Sequence, residues 1–121
     1  MNLEHIFEAR QSFMSEIEQL IPGTYPEEPN LADSKTQSVI REITLRGVEE
    51  IFEALQHLKG WRTHRADIDC DVDEEEFLEE VVDAFNYFFS LMILAGVSPD
   101  DFEKAFKKKD QIIRARLQRL K

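Results

Sequence analysis

Five acidic residues have the types and spacing to do chemistry: Glu49, Glu50 and Glu53, then Glu80 and Asp83. Residues three apart on a helix lie about 5–6 Å apart at Cβ, so Glu50 with Glu53 and Glu80 with Asp83 each put two carboxylates on one face. If the two pairs face each other, four negative charges converge. Two charges about 5 Å apart repel by ~3 kcal/mol at an effective dielectric near 20. Several such terms rival the roughly 5–15 kcal/mol that holds a domain folded. Protonation or a bound hard cation relieves the repulsion, and an all-carboxylate oxygen set suits Mg²⁺ or Mn²⁺. The other reading is two acidic helix faces turned to water. Spacing alone favours that one, because Glu-x-x-Glu is common on helices.

The elements that must position these acids follow from periodicity. The stretch 73–96, DEEEFLEEVVDAFNYFFSLMILAG, is the centre of the chain. At helical spacing Phe77, Val81, Phe85, Phe88 and Met92 share one face, while Glu76, Glu80, Asp83 and Tyr87 run along another. Asp73 caps this helix with Glu76 at the capping-box position, and Gly96 ends it. Upstream, Ser34 is the expected N-cap of a long helix ending before Gly60, with Val39, Ile40, Val48, Ile51, Leu55 and Leu58 facing inward. Gly47 sits inside that helix at a propensity cost of about 1 kcal/mol, which a close helix contact or a nearby ligand would explain, close packing being the favoured reason. A first helix spans roughly 3–20 on Leu3, Ile6, Phe7, Phe13, Met14, Ile17 and Leu20. Gln11 falls among its aromatic positions, where most glutamines are boundary residues. A last helix begins at Ser98-Pro99-Asp100-Asp101, with a cap, a proline in the first turn and acids at the positive end of the dipole. Residues 21–33 form a loop holding three of the four prolines, and Gly60 to Val72 form a second. No strand pattern intervenes, so the expected fold is an all-α bundle of four to five helices in a single domain, 1–121.

Composition narrows the partners. With 121 residues, 42% hydrophobic and 33% charged, the chain reads as a globular domain. A lone Cys70 excludes an internal disulfide framework and, with no signal-peptide pattern or apolar run of membrane length, fits the cytoplasm. A net charge of −10 argues against nucleic acid. The charge is also segregated. Asp67 to Asp83 holds ten acids and no base, whereas Lys104 to Lys121 holds eight bases and one acid, Asp110.

The basic end is informative. Phe102, Phe106, Ile113, Leu117 and Leu120 form an apolar stripe on the last helix, with Lys109 and Arg116 in its middle. Cations on such a stripe either snorkel to solvent or meet an anionic partner, such as the acidic cluster or a phosphate bridged to it by metal. Other motifs fail. DIDCDVDEEE has Glu74 where a calcium loop needs glycine, and His5, His57, His64 and Cys70 show no zinc-ligand spacing. Gly-rich phosphate loops, nucleophile elbows and triad patterns are absent. Trp61, beside Lys59 and Arg62, could stack on a base or plug the end of the bundle.

Glu49-Glu50-x-x-Glu53 followed by Glu80-x-x-Asp83, on successive helices of a small all-α chain, resembles the MazG-like and dimeric-dUTPase-like nucleoside triphosphate pyrophosphohydrolases. VEEIFEALQHLKGW, EEVVDAFNYFFSLMILAGV and FKKKDQIIRARL occur in the order expected of that group. The resemblance implies Mg²⁺-dependent cleavage of a nucleoside triphosphate, dUTP or dCTP, to the monophosphate and pyrophosphate. Glu50, Glu53, Glu80 and Asp83 then hold the metal, and Glu53 or Glu49 orients or deprotonates the attacking water. Lys109 and Arg116 neutralise the triphosphate, while Asn86, Trp61 and Gln11 contact base and sugar. It also implies a bundle completed by a second subunit, as a homodimer or homotetramer. The chain departs from the dUTPase branch in having Asp110 and Ile113 where asparagines are usual. That puts uracil specificity in question more than the chemistry. The alternative is a helical dimerisation module that keeps the bundle without catalysis.

Overall fold

The computed structural model describes residues 1–58 and 72–120, and these are all-helical with no strand among them. The helices are α1, Leu3–Leu20; α2, Ser34–Leu55; α3, Glu74–Leu94; and α4, Pro99–Arg119. Trp61, His64, Cys70 and the Asp69–Asp71 part of the rejected calcium loop lie outside the described residues.

Local chemistry sets the ends. Asp33, not Ser34, caps α2: its side chain accepts from the Thr36 backbone N–H and hydroxyl, both at 3.1 Å. Both residues are good caps, and the carboxylate serves the N–H and the hydroxyl of the fully buried Thr36 at once. Asp73 caps α3 through the Glu76 N–H. Ser98 and Asp101 close a reciprocal capping box on α4 behind Pro99. Gly96, at φ +77°, ends α3 in the left-handed conformation, with Val97 N–H bonded to the Met92 carbonyl and Gly96 N–H to that of Ile93.

Packing is dominated by α2 against α3. α1 lies on α3, and α4 packs on α1 alone among the described helices. The buried centre is Met14, Ile43 and Leu94, with Tyr25, Val39, Ile40, Tyr87 and Ile93 packed around it. Gly47 is where α2 and α3 come closest. A Cβ built there would lie 3.0 Å from the Phe88 ring and 3.3 Å from the Tyr87 Cβ. Close packing is therefore the reason for this glycine. Gly47→Leu is expected to force the helices apart and cost about 3 kcal/mol, the upper part of the overpacking range, measured by urea unfolding.

Two facing assignments need correction. On α2 the buried line is Thr36, Ile43, Gly47 and Ala54, while Val48 and Leu55 are exposed. On α3 Ala84, Ser90 and Leu94 are buried, and Phe85 is half exposed. The reason is steric. Each helix carries apolar residues on more than one side, and the small Gly47 and Ala84 are among those buried where the two pack. Val48, Leu55 and Phe85 are turned to the flanks, while Phe88 and Tyr87 lie over Gly47.

The last helix leaves α3 at 104° and buries no residue of its own. Its apolar stripe, and those of Leu45, Val48, Phe52 and Leu55 on α2 and Leu78, Val82 and Phe85 on α3, are exposed in the single chain. Among the described residues no single helix is long and apolar enough to cross a membrane.

Candidate acidic site and the groove beside it

The face of α2 that carries Gly47 also carries Glu50, one turn on, so Glu50 is drawn partly inward against α3. There it meets the other acids. Its carboxyl is held above the ordinary carboxylate range, first by burial, then by Glu53 at hydrogen-bonding range, then by the charges of Asp83 and Glu80. The four carboxylates that spacing paired two by two thus belong to one electrostatic cluster. Glu50 is the most enclosed with Glu80, while Glu53 and Asp83 lie at the exposed rim.

A carboxyl whose folded pKa is raised binds its proton more tightly in the folded state. Its contribution to stability is therefore greatest below the unfolded pKa and is lost as pH rises through the folded one. Glu18 and Asp101 run the other way, lowered by backbone hydrogen bonds, from Tyr25 and Gly23 for Glu18 and from Ser98 for Asp101. A difference measurement isolates Glu50. In metal-chelated buffer, Glu50→Gln is expected to gain stability over the parent chain as pH rises through the range where Glu50 ionises. Thermal melts across that range check this.

His57 completes the inner edge. Its Nε2 lies 3.0 Å from Glu80 Oε2, with both side chains about a quarter exposed. Glu76 joins them, so that one ligand atom from each of the three lies within 4.8 Å of the others. Among the described residues this is the set whose ligand atoms come that close; Glu50, Glu53 and Asp83 do not complete a second one with Glu80. Linear spacing gave no sign of the His57 contact, because His57 and Glu80 are 23 residues apart. His57 lies two residues past the end of α2, in a turn where its N–H donates to the Ala54 carbonyl, and only the path of that turn sets it beside Glu80.

The bases are placed differently from expectation. Lys109 and Arg116 are exposed on α4, form no ion pair among the described residues, and are not brought to the acids within one chain. Two cations that the sequence pattern did not single out stand near these acids among the described residues, Arg10, which feels the charge of Asp83, and Arg46. Arg46 lies 3.1 Å from Glu42 Oε1 and, with Glu49, Glu50 and Tyr87, lines a hollow of about 410 Å³. Glu49 is thus near the cluster but on this outer side.

Asn86 and Gln11 part company. Asn86 lines a groove of about 820 Å³ between α1 and α3, beside Asp83. Gln11 is exposed and lines a separate hollow with Phe7, Glu8 and the 96–98 turn. It is Arg10, one position earlier, that enters the groove. The set that α2 and α3 bring together is Glu50, Glu53, Glu80 and Asp83. Carboxylates gathered like this, with Glu50 raised first by burial and then by its acidic neighbours, are of the chemical type that a hard divalent cation takes. No family model matches the chain, and no curated protein or solved structure is significantly similar to it.

Proposed function

We propose that the chain is a Mg²⁺-dependent nucleoside triphosphate pyrophosphohydrolase whose site is completed by a second copy of the chain. The observation that carries this reading is Glu50, half-enclosed beside Glu53 and in reach of the charges of Asp83 and Glu80, with its carboxyl raised first by burial and then by those acids. An interaction module has no use for such repulsion, whereas a divalent cation relieves it. Glu50, Glu53, Glu80 and Asp83 would hold Mg²⁺ or Mn²⁺, which supplies charge neutralisation at the phosphate oxygens. Glu53, exposed at the rim, is positioned to take a proton from water, and Glu49 lies one turn back beside Arg46. Arg46 offers positive charge for a phosphate group from within the chain.

The apolar faces support the second copy. Phe106 and Leu117 on α4 are 65% and 57% exposed, and Phe52 on α2 is 59% exposed. Large apolar residues exposed on several helices are what a partner surface would cover. On this reading α4 of a partner lays its apolar stripe on such a face, bringing Lys109 and Arg116 towards the triphosphate. Exposed faces alone also suit a non-catalytic dimerisation module, so chemistry must decide.

The experiment is pyrophosphate release from a panel of nucleoside and deoxynucleoside triphosphates, with and without Mg²⁺. Metal-dependent release supports the enzyme. Absence of release with either Mg²⁺ or Mn²⁺ moves the reading to the interaction module.

A further inference from the structure

The groove between α1 and α3 has a chemistry that the acidic cluster does not explain. Its walls are apolar and aromatic, with Ile6, Phe13, Val81, Phe85 and Phe89 among them, and its volume of about 820 Å³ is that of a small-molecule site. Arg10 stands in it, half-buried. Its guanidinium carbon lies 4.7 Å from the Phe13 ring centroid and 5.8 Å from that of Tyr87. Its Nε donates to the buried Ser90 hydroxyl at 2.7 Å. With Nε committed, the edge left to act is the pair of terminal amino groups, for which no acceptor is found among the described residues. The fork is therefore anchored, stacked and aimed by its own fold.

We propose that this groove binds the base of the nucleotide, and that Arg10 selects a base edge with two adjacent acceptors, as guanine and cytosine have. The inference rests on the triphosphate reading of the acids, since Asp83 stands both in their cluster and at the groove. A ring is favoured over a phosphate for two reasons. Aromatic and aliphatic walls gain from burying a flat apolar surface. The Arg10 charge is also met by Asp83 in the same lining, which disfavours a polyanion at the guanidinium. A guanidinium fork makes two parallel hydrogen bonds to guanine O6 and N7. Cytosine O2 and N3 offer the same adjacent pair. Uracil and thymine place an N–H between their carbonyls, and adenine places an amino group beside each acceptor on its outer edges, so each meets the fork with a donor.

The test is equilibrium binding of the five deoxynucleoside monophosphates dGMP, dCMP, dUMP, dTMP and dAMP to the full chain, for the parent and for Arg10→Lys. The lysine keeps the charge and removes the fork. The parent is expected to bind dGMP and dCMP at least about tenfold more tightly than the other three, and Arg10→Lys is expected to erase that preference. Ser90→Ala, which releases Nε, is expected to reduce it. Equal binding of all five, a preference for dUMP, tighter binding of inorganic pyrophosphate than of any monophosphate, or a preference that survives in Arg10→Lys would each overturn the proposal. Because hydrolysis is not the readout, failure of the catalytic reading is seen separately, in the pyrophosphate assay.

Discussion

Glu53→Gln is expected to lower pyrophosphate release by about 10²–10⁴-fold, the range that a positioned general base contributes. Its fold is expected to stay intact. Glu53 is exposed and no core contact depends on it. It is also the largest charged influence on Glu50. Removing it relieves repulsion, so the metal-free variant is expected to melt at or above the parent temperature. Metal should reverse the order. A cation bound only by the folded parent adds about 2.7 kcal/mol at a hundred times its dissociation constant, and a site with one carboxylate fewer gains less. Melting curves with Mg²⁺ and with chelator, beside the activity assay, separate the outcomes. Full activity in Glu53→Gln would remove this residue from the site. A metal-independent melting temperature in the parent would remove the metal.

The second large effect concerns α4. No residue of this helix is buried in the single chain, so Phe106→Asp with Leu117→Asp has little intrachain packing to break. In an assembly the same change is severe. Burying a large apolar side chain is worth about 1.5–3 kcal/mol, and a two-fold interface presents each position twice. Four lost contacts come to about 6–12 kcal/mol, comparable to the whole binding energy of a micromolar to nanomolar dimer. The double variant is expected to run as a folded monomer where the parent runs as a dimer or tetramer, in sedimentation or light-scattering measurements. It is also expected to lose hydrolysis, because Lys109 and Arg116 travel with the same helix. A parent chain that is itself monomeric at micromolar concentration would sink the completed-site reading. A monomeric variant with full activity would show that the α4 cations are not needed.

The helices and most of their ends were legible in the sequence because the forces that set them are short-range; at α2 the cap is Asp33, not Ser34, and the helix stops at Leu55. Apolar spacing, the Asp73 and Ser98 caps and Gly96 as a left-handed terminator act within a turn or two, and the structure has each of them. The paired acids were legible for the same reason, as was the close approach at Gly47. Rotation of a helix about its axis is decided otherwise, by what lies across from it. Val48 and Leu55 sit about 150° around α2 from Glu50, and the contact of Gly47 with Phe88 and Tyr87 turned them to the outside and Glu50 inward. The tertiary structure alone joined His57 to Glu80 across 23 positions and Arg10 to Ser90 across 80. It also sent α4 away at 104°, parting Lys109 and Arg116 from the acids that their charges complement. Charge pattern can say that two groups would attract; only the path of the backbone determines whether one chain can bring them together.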